Sequence, residues 1–413
     1  MLNTPSHSPL SSISLCWVLA APQNSFTSSS DMNNHYLTAL FLTLSVMVIG
    51  TVAVTTRVDP FGIYGNDTEA ALSRIDQFFH MRSTKALIIK NKKPSKLIIG
   101  SSRSARLSPP ASEQNAYYNG AIPGATPAEI RQMLEYAHYV RPLDTAIIGW
   151  DFEAFLPLLP EFRSGFNNDL LDANNPITHS LYSLIAHKRT AFSFIAMMES
   201  YKAHTAVDTP TKPSYMTDGS WHRNQPTNIG PFGFSMLSKE KLALFSNDDP
   251  MPLVTREIER TFRFCHDNDI QCQFLATPVH LFHFEIFRKA GLLGQWKQWH
   301  RKLVNINTRI AQEKNRNPLP IWAFNAYVPA VNEPIKVATD LVTPWFSDNL
   351  HFRPRFGDVM LADITGTGST QPAGILLTPD NVEDYIDTTI SLQRSYIKAD
   401  RRRVGLLKKN LKF

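Results

Sequence analysis

The hydrophobic and polar positions divide the chain into one long apolar stretch and a body of shorter, alternating patterns. The twenty-one residues from Tyr36 to Thr56 carry no charge, and a helix of that length covers the roughly 30 Å hydrocarbon core of a bilayer. The stretch lacks the continuous polar stripe of a buried helix in a soluble protein. We therefore predict a transmembrane helix over 36–56, kept as an anchor because no small-residue cleavage site follows it.

Short apolar runs in the body predict the strands of a sheet. They are Lys96 to Gly100, Thr145 to Trp150, Gln271 to Ala276 and Leu319 to Phe324. Helical patterns over 127–140 and 254–268 lie between them, and this alternation is typical of a parallel sheet with crossover helices. The sequence therefore predicts an α/β fold with a doubly wound, mostly parallel sheet.

The same pattern predicts the domain boundaries. We expect a poorly ordered segment over 1–35, a linker and helical lead-in over 57–93, an α/β domain over 94–370, and a C-terminal extension with a basic tail over 371–413. The stretch 156–249 is rich in Pro, Asn and Ser and breaks the strand rhythm. We interpret it as an inserted cap with one long helix over 176–204, lying over the carboxyl edge of the sheet, where α/β proteins bind ligands.

The charge argues against a nucleic-acid partner. The chain has 413 residues and a net charge of +6, but its last twenty residues hold eight basic residues and one acid, Asp400, so the rest of the chain sums to −1. The body has no basic stripe interleaved with aromatic residues. The tail is either a solvated chain end or a contact for anionic lipid.

The three cysteines exclude a disulfide scaffold and a four-thiolate zinc site. Cys265 and Cys272 either form a bond in an oxidising compartment or stay as two buried thiols. His280 and His283 have Glu285 nearby, but metal sites need ligands at matching positions, and no third ligand of that kind stands out. We predict neither a metal nor a cofactor.

A hydroxyl group stands at the end of the first predicted strand. The run of Lys96 to Ser104, KLIIGSSRS, leads from a strand through Gly100 to Ser102 and then into a helical pattern. Serine is a weak nucleophile without a base, and a helix N-terminus beside it stabilises an oxyanion. Because Ser and Gly are also ordinary turn and cap residues, the motif alone is weak.

A candidate base lies near the other end of the body. Asp348 and His351 are three residues apart, so one short loop can aim both side chains at one place. Such a carboxylate fixes the imidazole tautomer, and the imidazole takes up a proton. Between these motifs stand a Gly-rich turn, YNGAIPGATP over 118–127, and Gly149-Trp150-Asp151 at the end of a predicted strand.

The four motifs, in this order, resemble those of the SGNH/GDSL hydrolase superfamily over roughly residues 94–370. The resemblance implies a three-layer α/β fold in which Ser102 is the nucleophile, His351 the base and Asp348 its orienter. It also implies a backbone oxyanion donor at Gly124 or Gly120, of which we favour Gly124.

Two positions depart from the family pattern. Ser101 stands where the Gly-Asp-Ser motif has Asp, and Asp151 stands where the family has an Asn that donates to the oxyanion. A carboxylate repels a developing negative charge unless it is protonated. Either Asp151 lies outside the oxyanion hole, or Asn119 or Arg103 takes its role, or the protein is not a simple esterase. His280, after the strand 271–276, is a further candidate for substrate contact.

The wider layout resembles membrane-anchored SGNH-like proteins of bacterial envelopes, through the anchor, the run DPFGIY over 59–64, and Gly-Ser-Ser-Arg. The resemblance implies an esterase or O-acyltransferase for acyl esters of an envelope glycan. Its partner is the glycan or an acyl-donor protein, and its body lies on the periplasmic side of the membrane. Arg57 alone favours a cytoplasmic body, and we give this one charge less weight.

Two other functions stay open from the sequence. One is a catalytically inactive SGNH-like protein that binds glycan or scaffolds a polysaccharide pathway, which the altered third motif favours. The other is an anchored signalling or assembly protein. Aromatic residues of the cap, namely Tyr215, Trp221 and Phe232, either stack on sugar rings or pack within the cap.

Overall fold

A computed structural model of the chain describes most of the body and the N-terminal helix. The described residues are 29–64, 81–156, 161–163, 166, 170–171, 176–191, 193–205, 214–222, 252–333, 343–368, 372–399 and 401. The chain divides into two compact units, one ending at Gly50 and the other beginning at Thr51. The segment 1–28, Phe232 and most of the basic tail lie outside the described residues.

The first helix, α1, covers Ser29–Val58. Its part Asn33–Val58 is long and apolar enough to cross a membrane, and large side chains such as Phe41 and Ile49 are exposed along it. The helix begins before the predicted span 36–56 and contains all of it. Its length and composition are consistent with a membrane anchor near the N-terminus.

The body is built on a sheet of six strands. The eight strands of the described chain are β1 (Lys96–Ile99), β2 (Tyr117–Asn119), β3 (Thr145–Trp150), β4 (Ser214–Tyr215), β5 (Trp221–His222), β6 (Gln271–Ala276), β7 (Ile321–Ala323) and β8 (Ile375–Leu376). The large sheet has the order β2-β1-β3-β6-β7-β8, and β4 pairs with β5 in a small antiparallel hairpin. Only β8 runs antiparallel in the large sheet. The predicted α/β class with a mostly parallel sheet is confirmed.

The central strands are apolar on both faces because helices cover both sides of the sheet. Ile98 of β1 lies beside Ile147 of β3, and Ile148 lies beside Phe274 of β6; all four are buried. The strand order reverses at β1, which has β2 on one side and β3 on the other. Loops that follow β1 and β3 therefore meet at the switch point, the usual ligand position of such sheets.

Ten further helices surround this sheet or belong to the cap. They are α2 (Met81–Lys92), α3 (Pro127–Val140), α4 (Pro176–Ala191), α5 (Phe194–Thr205), α6 (Pro252–Asp267), α7 (Leu281–Lys289), α8 (Leu293–Glu313), α9 (Val328–Val331), α10 (Pro354–Ile364) and α11 (Val382–Ala399), counted over the residues that the structure describes. The predicted helices 127–140 and 254–268 correspond to α3 and α6. At the start of α3, the Thr126 side chain accepts from the Glu129 amide and the Glu129 carboxylate accepts from the Thr126 amide, which is a capping box.

Two predicted boundaries need correction. The single helix expected over 176–204 is two helices, because Ser193 accepts a hydrogen bond from the Ala196 amide through its Oγ (3.0 Å) and caps α5. The expected C-terminal extension is part of the body: β8 extends the sheet, and α11 packs against α7 and α8. Two-residue strands such as β8 have too little periodicity to be read from a sequence.

The open question about the cysteines has an answer in the structure. Cys265, near the end of α6, forms a disulfide with Cys272 of β6, and both residues are buried. The bond closes the short connection between a helix and the central sheet.

The residues just after α1 belong to the body, and this predicts where a soluble fragment must begin. Phe61 and Ile63 are 3% and 2% exposed, and the Asp59 carboxylate accepts from the amides of Ile63 (2.7 Å) and Tyr64 (2.8 Å). Burial of one large apolar side chain contributes about 1.5–3 kcal/mol. We expect the free energy of unfolding, measured with urea, to be about 4 kcal/mol higher for a fragment 59–413 than for a fragment 65–413. Equal urea midpoints would show that this segment does not support the core.

Candidate active site

A glycine makes the turn that presents the candidate nucleophile. Gly100 follows β1 with φ of +150°, and a Cβ there would lie 2.2 Å from Ser104 Oγ and 2.6 Å from the Gly149 carbonyl oxygen. No larger residue fits between the two strand ends. The chain turns at this point into Ser101 and Ser102, and the Ala105 amide donates to the Ser101 carbonyl (3.0 Å).

Ser102, His351 and Asp348 form a continuous chain of hydrogen bonds. Ser102 Oγ lies 2.8 Å from His351 Nε2, and His351 Nδ1 lies 2.8 Å and 3.0 Å from the two carboxylate oxygens of Asp348. Because a carboxylate only accepts, Nδ1 carries the proton and donates it to Asp348. The lone pair of Nε2 therefore faces the Ser102 hydroxyl, which is the arrangement that a general base needs. The structure brings these three predicted residues together across 249 positions of sequence.

The loop of the base is shaped by the carboxylate itself. Asp348 Oδ1 accepts from the backbone amides of Leu350 and His351, each at 2.8 Å, and the Ser347 amide donates to the His351 carbonyl (2.9 Å). Burial alone would raise the pKa of Asp348, but His351 and these amides outweigh it and lower the pKa to about 2. Asp348 is thus ionised at neutral pH and holds the imidazole in one tautomer.

The Gly-rich turn lies against the nucleophile turn. The Ile122 amide donates to the Gly100 carbonyl (2.9 Å), and the Ala125 amide closes a turn onto Ile122 (2.9 Å). Gly124, at φ of +64°, occupies the position of this turn that favours glycine. Within the described residues, the backbone amides of Ser102 and Gly124 donate no hydrogen bond to another protein group. Both amides therefore stay candidate donors for an oxyanion.

Two other predicted oxyanion residues, Gly120 and Asn119, have partners inside the fold. The Gly120 amide donates to the Ile98 carbonyl (2.8 Å) and extends the sheet. The Asn119 side chain donates to the carbonyls of Ser104 and Leu107 and accepts from the Ala121 amide, at 2.7–3.0 Å. These polar groups of Gly120 and Asn119 are thus bound inside the fold, and Asn119 joins the segment after Ser102 to β2.

His280, the predicted substrate contact, also has its hydrogen-bond partners inside the fold. Its Nε2 donates to the Glu333 carbonyl (2.7 Å), and its Nδ1 accepts from the Phe282 amide (3.1 Å) as the N-cap of α7. Burial lowers the pKa of His280 to about 4, so the ring is neutral and both of its nitrogens are used inside the fold.

Asp151 is surrounded by donors. Its carboxylate accepts from the Ser101 hydroxyl and from Thr277 Oγ1 (2.6 Å), and Arg103 Nη1 lies 3.7 Å away. The two positions that depart from the SGNH/GDSL pattern, Ser101 and Asp151, therefore bind each other. The Asp151 carboxylate ties the end of β3 to the nucleophile turn, and it presents no hydrogen-bond donor to an oxyanion.

Arg103 is buried and bound to two carboxylates. Its Nη2 donates to Glu153 Oε1 (2.7 Å) and its Nη1 to Thr277 Oγ1 (3.2 Å), beside Asp151. Burial opposes the charge, but Asp151 and Glu153 outweigh it and raise the pKa of Arg103. The guanidinium neutralises these buried carboxylates, so it is not available to an oxyanion at Ser102.

The sequence did not predict Glu153 and His283 as members of this site. His283 was considered only as a metal ligand. His283 Nε2 lies 2.8 Å from Glu153 Oε1, and His283 Nδ1 accepts from Asn349 Nδ2 (3.0 Å). The nearby Glu285 is buried and pairs with Arg288 of the same helix α7 (2.7 Å). The described part of the chain contains no group of three residues placed to hold a metal ion.

In the described part of the cap, Trp221 lies beside His351. Trp221 of β5 packs edge-on to the His351 ring, with ring centroids 6.2 Å apart. The Arg106 guanidinium lies 4.2 Å from the Trp221 ring centroid, and Tyr215 stacks beside it. Trp221 and Tyr215 thus pack against protein groups next to the base.

Comparison with known proteins adds no relative to this description. No protein-family model matches the chain, and no curated protein is significantly similar to it. The resemblance to SGNH/GDSL hydrolases therefore rests on the four sequence motifs alone. The hydrogen bonds among Ser102, His351 and Asp348 agree with it.

Proposed function

We propose that the protein is a membrane-anchored serine esterase or O-acyltransferase of the SGNH type, acting on acyl esters. The observation that carries the proposal is the hydrogen-bond chain from Ser102 through His351 to Asp348, with 2.8 Å at each link. A base oriented by a buried carboxylate and aimed at a serine hydroxyl is the arrangement of nucleophilic acyl transfer.

The reaction follows from these atoms. Ser102 Oγ attacks the acyl carbon while His351 Nε2 takes up the hydroxyl proton, and Asp348 stabilises the imidazolium. The amides of Ser102 and Gly124 donate to the oxyanion. The ester C–O bond then breaks, and His351 returns the proton to the leaving alcohol. Water or a sugar hydroxyl attacks the acyl-serine in the reverse sequence, which gives hydrolysis or transfer respectively.

The sheet supports the SGNH assignment. The strands β2-β1-β3-β6-β7 have the order of a doubly wound sheet with its switch point between β1 and β3. Ser102 follows β1 and Asp151 follows β3, so the first and third motifs meet there, as they would in an SGNH hydrolase. The Ser101 hydroxyl donates to the Asp151 carboxylate, and this bond joins the two loops. Both residue types differ from the family pattern.

The proposed substrate is an acyl ester of an envelope glycan, and the proposed location of the body is the periplasm. An apolar N-terminal helix and a buried disulfide support this location, because structural disulfides form and persist in oxidising compartments. The single positive charge at Arg57 is a weaker argument for the opposite side.

A fusion at the C-terminus tests the location. A reporter that is active only outside the cytoplasm, fused after Phe413, should be active in cells. Native and unfolded protein should both lack free thiols at Cys265 and Cys272, measured by thiol titration with Cys16 replaced by serine. Activity from a cytoplasm-only reporter at the same site would contradict the proposed location.

An ester assay tests the activity. The full-length protein in detergent should hydrolyse a chromogenic acetyl ester, and the Ser102→Ala variant should not. Glycan binding that is unchanged in both proteins, without any hydrolysis, would favour the inactive glycan-binding protein instead.

A further inference from the structure

A line of four side chains, three of them buried, connects the loop of Ser102 with the loop of His351. Arg103, next to Ser102, donates to Glu153 (2.7 Å). Glu153 Oε1 lies 2.8 Å from His283 Nε2, and His283 Nδ1 lies 3.0 Å from Asn349 Nδ2. Asn349 is the residue directly after Asp348. Three of the four side chains are almost inaccessible to solvent, at 4% or less for Arg103, His283 and Asn349.

Each hydrogen bond in this line has one possible direction. The Asn349 amide nitrogen can only donate, so His283 Nδ1 accepts and His283 Nε2 carries the proton that is donated to Glu153. Burial lowers the pKa of His283 and keeps the ring neutral. Burial would raise the pKa of Glu153, but Arg103 and His283 hold it well below the usual range. The line is therefore formed from a guanidinium, a carboxylate, a neutral imidazole and an amide.

These hydrogen bonds fix the distance between two loops that are far apart in the sequence. One is the loop after β1 with Ser102, and the other is the loop with Asp348 and His351. At one end, Arg103 follows Ser102 and is held by Glu153 and Thr277. At the other end, Asn349 is held by its side chain through His283 and by its carbonyl, which accepts from the His280 amide (3.2 Å). A buried polar group that loses its partner costs about 1–3 kcal/mol, so the loops cannot separate freely.

We propose that His283 is a positioning residue, which with Glu153 and Asn349 sets the separation of Ser102 Oγ and His351 Nε2. The inference deepens the proposed function and rests on it. His283 touches neither Ser102 nor His351 directly. It acts through Asn349 on the loop of the base and through Glu153 and Arg103 on the loop of the nucleophile. A displacement of about 1 Å at a reacting group costs roughly 10²-fold in rate.

Two replacements of His283 separate positioning from simple packing. In His283→Gln, the side chain keeps one donor for Glu153 and one acceptor for Asn349; in His283→Leu, it fills similar space with neither. We expect His283→Leu to lower kcat for ester hydrolysis by about 10- to 100-fold with KM changed less than twofold. His283→Gln should keep kcat within about threefold of the wild type.

Proton NMR gives a second readout that does not depend on activity. The downfield resonance of the His351 Nδ1 proton, bound to Asp348, should be present in the wild type and in His283→Gln. It should broaden or disappear in His283→Leu. Should His283→Leu fail to fold, Asn349→Ala removes the same donor with a smaller change of volume and should show the same two effects.

The outcomes are distinguishable. If His283→Leu or Asn349→Ala keeps both kcat and the His351 resonance, the positioning role is wrong, whatever the nucleophile. If Ser102→Ala keeps full activity, the proposed function is wrong. The resonance in the His283 variants then still decides whether this line of side chains positions His351.

Discussion

Replacing Ser102 with alanine is expected to abolish ester hydrolysis, and replacing His351 with alanine is expected to do the same. A nucleophile and its base act as one unit, so each single loss should cost about 10⁴-fold or more in kcat/KM. For the same reason, the double variant should be no less active than either single variant. Steady-state assays of the full-length protein measure this directly.

The fold should tolerate the Ser102 change. Ser102 is half-buried, and its side chain makes one hydrogen bond, to His351. The free energy of unfolding should therefore change by about 1 kcal/mol or less. A matched control is available in Ser108, which is also half-buried and whose Oγ lies 2.8 Å from His222 Nε2. Ser108→Ala removes a second serine–histidine contact and should leave the activity intact.

The second large effect is expected at Asp348. In Asp348→Asn the side chain keeps its shape, but its amide group can donate to His351 Nδ1, which favours the wrong tautomer. Nε2 would then carry the proton and could not accept one from Ser102. We expect kcat/KM to fall by about 10²- to 10⁴-fold. Retention of most activity in this variant would mean that the Asp348 carboxylate does not orient the base.

The same variant has an expected pH dependence of stability. The pKa of Asp348 in the folded protein, about 2, lies below its ordinary value of 3.8. A lowered pKa contributes stability that is fully present above the ordinary value and is lost as the pH falls through the folded value. The wild type should therefore lose about 2 kcal/mol more than Asp348→Asn between pH 5 and pH 2. Urea unfolding of both proteins across this range measures the difference.

The sequence predicts the central strands, and it singles out the three residues that the structure joins by hydrogen bonds, for physical reasons. The strands β1, β3 and β6 are buried on both faces, so their apolar runs stand out from the flanking polar segments. Ser102, Asp348 and His351 are recognisable because the chemistry needs these residue types at strand ends and in one short loop. The capped helix α3 has its starting signal in Thr126 and Glu129.

The remaining parts depend on contacts between distant segments. The role of Asn119 follows from three backbone groups around it, and that of His280 from the Glu333 carbonyl, 53 residues away. The contact of Asp151 with the Ser101 hydroxyl joins residues 50 positions apart, and the sequence gives no local signal for it. The contact between Glu153 and His283 has no local pattern in the sequence, since Glu153 follows β3 and His283 lies in α7, 130 residues later.

Covalent labelling tests most directly whether Ser102 is a nucleophile activated by His351. The full-length protein should be treated with a fluorophosphonate, which phosphonylates serines that are activated by a base, and the labelled peptide should be mapped by mass spectrometry. We expect one adduct, on Ser102. It should be unchanged in Ser108→Ala and lost in His351→Ala. Absence of an adduct on Ser102 in the folded protein, or equal labelling of Ser102 in His351→Ala, would contradict this expectation.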